Sequence, residues 1–172
     1  LLGQCVSKLG SLEVVVNNVL FPMPQQSLEE IPFELWKRKF DVETTGSFLL
    51  FKQVIPQMIQ QQWGRVVNFS GLEAFNGADI MSSATEMGLV GLTRGIAREY
   101  GKYNITANCI GPGGIENEEA EGLPPVPPSQ RDAIPRLGTP EEVAFLAVTL
   151  CSEGVSYITG QCLLANGGKH FL

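Results

Sequence analysis

At 172 residues and 44% hydrophobic, the chain is long enough to bury one substantial core and too short for two domains of ordinary size, so residues 1–172 read as a single domain. Its 12 Lys and Arg face 18 Asp and Glu, a net charge of −6, and this balance argues against a nucleic-acid or anionic-membrane surface, because phosphate binding depends on cationic side chains. Proteins or small molecules are the expected partners.

The chain opens "LLGQCVSKLG" without a Met. Two alternatives stand: residues precede Leu1 in the gene product, or something was cut away. This stretch has room for a helical turn or two. "LEVVVNN" (12–18) is a β-branched run without polar alternation, the pattern of a central parallel strand buried on both faces. From Pro32 to Gln62 the pattern predicts one long helix, with Pro56 bending its last turns. Its "FLLF" (48–51) is apolar all round, which predicts cover on every side, the sheet on one and another helix on the other.

"RVVNFS" (65–70), "ITANCIG" (105–111) and "GQCLLANGG" (160–168) repeat the strand pattern. Strands alternating with helix-length segments predict βαβ crossovers and a doubly wound parallel α/β sheet. In the helix between the second and third strands, Ala84, Gly88, Gly91 and Gly95 share one side, while Leu89, Leu92, Ile96 and Tyr100 share another. Each glycine costs about 1 kcal/mol of helix propensity against Ala. Close approach of another backbone is the expected compensation.

"ENEEAEGLPPVPPS" (116–129) has four Glu and four Pro, the composition of an exposed loop, and its carboxylates read as a solvated flank. After it, Thr139, Pro140 and Glu142 spell an N-cap, a first-turn proline and a capping box. Cys5, Cys109, Cys151 and Cys162 lie far apart with no CxxC pair, which suggests neither a zinc site nor a disulfide framework. Three of the four sit in apolar surroundings and are expected to pack as small hydrophobes. With no signal peptide pattern and no apolar run of about 18 residues, the cytoplasm is the expected compartment.

Taken together, "VVVNNVLFP", "FDVETTGSFLL", "WGRVVNFSG", "GLVGLTRGIAREYGKYNITANCIGPGGI" and "RLGTPEEVA…YITGQCLLANGG" resemble the short-chain dehydrogenase/reductase family over essentially the whole chain. The resemblance implies a Rossmann-type fold and hydride transfer between a nicotinamide and a carbinol or carbonyl. In that family a tyrosine exchanges the proton and a lysine four residues on lowers its pKa and holds the ribose. A strand serine orients the substrate, and a helix asparagine supports a relay water.

Anchored on "GLVGLTRG", the tyrosine position is Ser82, the lysine position Glu86, the serine position Gly71 and the asparagine position Glu43. An aliphatic hydroxyl does not replace a phenol, and a carboxylate at the lysine position reverses the electrostatics. No other register helps, since Tyr100, Tyr103 and Tyr157 are followed four residues later by Asn104, Ala107 and Gln161. The expectation is therefore no catalytic residue in this chain. Cofactor binding is expected to fail as well. Only 11 residues precede the first strand pattern, whereas a βαβ unit needs about 30, so the sheet is expected to lack its first βαβ unit or units. In addition, the family's Asn-Asn-Ala-Gly turn has become Asn17, Asn18, Val19 and Leu20. "GPGGI" (111–115) survives and reads as structural.

The leading expectation is a non-catalytic subunit that assembles, as a heterotetramer, with an active NAD-dependent member of the family, which would hold the cofactor. The family pairs through helices equivalent to the two long ones here and through the last helix and strand. This implies an interface at Trp36, Phe40, Phe51 and Met58 on one helix and Gly88, Gly91 and Gly95 on the other. The alternative is an enzyme of changed chemistry, lyase- or dehalogenase-like, using Glu43 and Glu86 as a carboxylate pair. Halohydrin dehalogenases also lack the nicotinamide site, but they keep Ser and Tyr and place Arg at the lysine position, which Gly71, Ser82 and Glu86 do not match. The lone histidine, His170, lies in the tail; it reads as incidental, although tails in this family reach neighbouring subunits.

Overall fold

The computed structural model describes residues 2–116 and 132–172; most of the acidic, proline-rich stretch falls outside them. Four strands, β1 (Val14–Asn17), β2 (Gly64–Phe69), β3 (Ile105–Pro112) and β4 (Cys162–Ala165), form one parallel sheet in the order β1-β2-β3-β4. A short helix, α1 (Leu2–Leu9), precedes them. The crossovers run through α2 (Phe33–Phe40) and α3 (Gly46–Gln61), then α4 (Glu73–Asn76) and α5 (Ile80–Tyr100), then α6 (Pro140–Cys151).

Val66 and Val67 adjoin in β2 and so point to opposite faces, and each seeds a separate core. Val66, Ile105 and Ala107 meet Phe51, Val54, Ile55 and Met58 of α3 and Ile96 and Ala97 of α5. Val67 and Ile110 meet Val143, Ala147 and Leu150 of α6. Helices thus cover both faces, the doubly wound α/β arrangement read from the alternation of patterns.

β1 departs from its expected burial. Val14 is 41% and Val16 51% exposed, because β1 is an edge strand with no neighbour on its outer side among the described residues. β-Branched composition fixed the strand; burial depends on what lies beside it.

The long helix is one helical run from Phe33 to Gln61, interrupted not at Pro56 but by a π turn at Asp41–Thr45. An extra residue in that turn rotates everything after it by about 100° relative to α2. Phe51 and Met58 consequently fall in the core, 2% and 0% exposed, and have no surface to offer a partner. This corrects their expected place at an interface. Phe48 and Leu49 hold the outward positions instead, 48% and 49% exposed, so "FLLF" is covered by its own chain on one side only. Trp36 and Phe40 are half-buried against each other, ring centres 4.8 Å apart.

On α5, a Cβ at Gly88 would touch Thr44 Cγ2 at 3.5 Å, whereas at Gly91 or Gly95 it would meet nothing within 4 Å. Among the described residues, no close backbone offsets those two glycines. The capping box at α6 is present as read: Glu142 N–H donates to Thr139 Oγ1 (3.3 Å), and Thr139 N–H to Glu142 Oε2 (2.9 Å). All four cysteines are free; Cys109 is buried and the others half-buried. Among the described residues, no helix is long and apolar enough to cross a membrane.

Candidate functional site

A cleft opens at the carboxyl ends of β1, β2 and β3, where a doubly wound sheet places its ligands. Asn18, Val19, Leu20, Glu43, Ser70, Gly71, Glu73, Thr85, Glu86 and Pro112 are among its walls. Three of the four family positions, Glu43, Gly71 and Glu86, share this cleft. Ser82 lines an adjoining cavity with Leu20, Lys39, Glu73 and Glu86. The fold therefore gathers all four.

Beneath the cleft, a ladder of buried amides holds the strands in place. Asn17 Nδ2 donates to Asn68 Oδ1 (3.0 Å) and to Ser47 Oγ (2.9 Å), and Asn68 Nδ2 donates to Thr93 Oγ1 on α5 (2.8 Å). These bonds tie β1, β2, α3 and α5 together, so the residues above them stand on a fixed floor.

Glu43, on the π turn, is 4% exposed and fully engaged. Its Oε1 lies 2.8 Å from Lys39 Nζ and accepts the Phe21 N–H at 2.8 Å, while Oε2 accepts the Thr85 hydroxyl. Lys39, itself 1% exposed, also donates to the Phe21 carbonyl at 3.1 Å. Together they fasten the loop after β1 to α2 and α5. Two charges buried this deeply are tolerated because each is paired and hydrogen-bonded. The pair is readable as an i,i+4 spacing, whereas Thr85 reaches Glu43 only in the folded chain.

Glu86 is buried as well, 8% exposed, and no cation faces it within ion-pair distance among the described residues. Its Oε2 accepts the Ala74 N–H at 3.1 Å. Burial pushes its carboxyl up to about 7; the neighbouring Glu73 and Glu43 charges add to the rise, and the amides of Ala74 and Gly71 oppose it. A Cβ at Gly71 would lie 2.5 Å from Glu73 Oε2 and 2.6 and 2.7 Å from the two Glu86 oxygens. The two carboxyl ends occupy the volume that a serine would need, so a side chain here would have to displace them. Glu73 escaped the sequence reading, since nothing in its spacing marks it as a neighbour of Glu86.

Ser82 sits in the first turn of α5, its N–H donating to the capping Asp79 Oδ1 at 2.7 Å. Among the described residues no basic side chain is hydrogen-bonded to its hydroxyl, and the lysine position four residues on is the carboxyl of Glu86. Glu43 and Glu86 do not form a free carboxylate pair either, as Glu43 is held by Lys39, Phe21 and Thr85. The residues present do not fit a nicotinamide nucleoside: Lys39, in the wall of the adjoining cavity, is spent on Glu43 and Phe21, and the ribose-holding position carries a buried acid. In the "GPGGI" turn, Gly113 N–H donates to Ala165 O (2.9 Å), and a Cβ added at Gly113 would lie 2.8 Å from Asn166 Cα. His170 folds back on α4, its ring stacked on Phe75 at 6.5 Å. Among the described residues, no group of three or more acids, cysteines or histidines is placed to hold a metal ion.

A family model described as enoyl-(acyl carrier protein) reductase matches residues 1–170. A 3-oxoacyl-[acyl-carrier-protein] reductase of Aquifex aeolicus is 35% identical over 165 residues, 93% of this chain and 66% of the relative. The crystal structure of an acetoin dehydrogenase from Salmonella typhimurium superposes with a TM-score of 0.85 at 32% identity, covering 96% of this chain and 67% of that one. A halohydrin dehalogenase superposes with a TM-score of 0.89 over 99% of this chain and 73% of its own, at 22% identity, a likeness of fold alone. The chain spans about two thirds of the length of the curated relatives it matches. By the match over nearly its whole length and by its fold, the chain belongs to the short-chain dehydrogenase/reductase family.

Proposed function

We propose that this chain is a non-catalytic subunit that assembles with an active, NAD-dependent short-chain dehydrogenase and stabilises or regulates it, as a heterotetramer. One contrast carries the reading. The positions of the family's chemistry have become packing, with Glu43 fastening a loop and Glu86 filling the serine volume, while a hydrophobic helix face stays uncovered. Phe48 and Leu49 on α3, and the open glycines Gly91 and Gly95 on α5, lie on the two helices through which the family pairs. Phe145 and Val148 of α6, 76% and 69% exposed, offer a second apolar face at the family's other contact. A chain under no constraint at these surfaces would accumulate charge on them.

The assembly we propose is of the kind in which an inactive subunit pairs with the dehydrogenase that oxidises 2-[hydroxy(phenyl)methyl]succinyl-CoA in anaerobic toluene breakdown, and a 3-hydroxyacyl-CoA dehydrogenase of aromatic hydrocarbon catabolism is the proposed partner. In such an assembly the partner holds NAD and carries the Tyr-x-x-x-Lys pair, and the cytoplasm is its place of action.

Native mass spectrometry of the protein purified from its source cells, followed by denaturation of the same sample, tests this. The expected result is a second, full-length dehydrogenase chain in fixed ratio. A homo-oligomer of this chain alone overturns the partner reading and turns attention to the cofactor-independent alternative. Glu86 is then the acid to examine, since its carboxyl at about 7 faces the cleft.

A further inference from the structure

Four cysteines scattered along the sequence become, in the fold, one pair and two singles. β3 and β4 run parallel with Cys109 directly opposite Cys162. Opposed residues share one face of the sheet, and neighbouring strands lie about 4.8 Å apart, within the Cα separation that a disulfide spans. That face lies under α5, because Ile105, Ala107 and Cys109 alternate along β3 and the first two pack with Ile96 and Ala97. The two thiols are hydrogen-bonded to each other, and the Ser70 hydroxyl, after β2, stands 3.8 Å from Cys162 Sγ. Cys5 lies on α1, and Cys151 packs into the core on the opposite face.

The two sulfurs differ in access and in acidity. Cys109 is fully buried, whereas Cys162 is half-buried. A hydrogen bond from the Cys109 thiol lowers the Cys162 pKa; burial opposes it, and the Ser70 hydroxyl and the Arg94 charge on α5 support it. The same bond, together with burial, raises Cys109 and keeps its proton in place. An accessible thiolate beside a sheltered thiol is the arrangement of an oxidisable cysteine with its resolving partner. The strand they would hold is the last of the sheet, four half-buried residues with no neighbour on its outer side among the described residues.

We propose that Cys109 and Cys162 form a dithiol oxidised by hydroperoxides, and that the resulting disulfide locks β4 to β3. The Cys162 thiolate attacks a peroxide oxygen, the O–O bond breaks, and the departing hydroxide takes up the proton that Cys162 released. The Cys109 sulfur then attacks the sulfenic sulfur of Cys162, and the hydroxyl leaves as water with the Cys109 proton. Two thiols and one hydrogen peroxide thus give one disulfide and two waters; the sulfurs lose two electrons and the peroxide gains them. A dithiol reductant reverses the bond by exchange. The proposal stands on the thiols alone, whatever the chain assembles with.

The test treats the full, reduced chain with hydrogen peroxide, alkylates it, and digests it with trypsin and a glutamate-specific protease, which cuts after Glu153 between Cys151 and Cys162. Mass spectrometry should find the Cys109 and Cys162 peptides joined with the loss of two hydrogens, and separate again after dithiothreitol. Dimedone should trap a sulfenic acid on Cys162 in Cys109→Ala, which lacks the resolving thiol, and leave Cys109 unlabelled in Cys162→Ser. Amide hydrogen exchange in β4 should slow several-fold on oxidation. The wild-type peptide map decides the pairing without any variant: Cys162 carried to sulfinic acid with no cross-link, or linked to Cys151, overturns it. Exchange in β4 unchanged by the cross-link overturns the lock.

Discussion

Glu43 and Glu86 flank one cleft, and both are buried, yet they meet opposite environments. Around Glu43 the chain gathers a lysine, a backbone amide and a hydroxyl. Around Glu86 it gathers amides and a second carboxyl. A carboxyl placed where a dehydrogenase keeps neutral or basic chemistry can therefore be absorbed in two ways, by supplying a cation or by retaining a proton. The first fastens a loop through a buried ion pair, whereas the second leaves an acid whose carboxyl burial raises to about 7.

The largest expected effect lies on the Glu43 side. Lys39→Met leaves a buried carboxylate without its cation and should cost about 3–5 kcal/mol in urea denaturation. Lys39→Met with Glu43→Gln should recover most of that. A cost below about 1 kcal/mol for the single variant would mean that Glu43 needs no partner, and the contrast between the two acids would collapse.

On the Glu86 side the corresponding effect is a pH dependence. Its folded-state carboxyl, at about 7, lies above its unfolded value of 4.5. Between these values the folded chain holds a proton that the unfolded chain has released, so stability falls as pH rises from 4.5 to 7 and then levels. The change attributable to Glu86 is about 3 kcal/mol, and Glu86→Gln should remove it from a denaturation series measured across that range.

A smaller effect probes the space between the two carboxyls. Gly71→Ser forces a side chain into the volume held by Glu73 and Glu86 and should cost about 1–3 kcal/mol. Glu86→Ala in the same chain should relieve part of it, which a double-mutant cycle measures directly. Thr139→Ala, at the α6 cap far from the cleft, should lose about 1 kcal/mol while leaving the pH dependence unchanged; a changed pH dependence would show that the stability signal does not isolate the cleft.

The fold was largely legible, because parallel strands buried on both faces advertise themselves as unbroken β-branched runs and the Thr139 cap carries its own motif. Val14 and Val16 show the limit of that reading: the same run serves an edge strand when no neighbour flanks it. Phe51 and Met58 show another. Helical periodicity assigns faces only while the helix keeps its period, and the π turn at Asp41–Thr45 has no composition signal that marks it. For the site, the spacing located Glu43, Gly71, Ser82 and Glu86, and the structure gathers them. What those residues do was only partly in the spacing: Lys39 stands four residues before Glu43, but Thr85, Glu73 and the amides of Phe21 and Ala74 reach them through tertiary contacts.

The most direct measurement is a fluorescence titration of NADH against the purified chain, separated from any companion subunit. The account predicts no saturable binding, because Lys39 is committed to Glu43 and an acid occupies the ribose-holding position. Saturable binding of one NADH per chain would contradict it and return this cleft to the ordinary chemistry of its family.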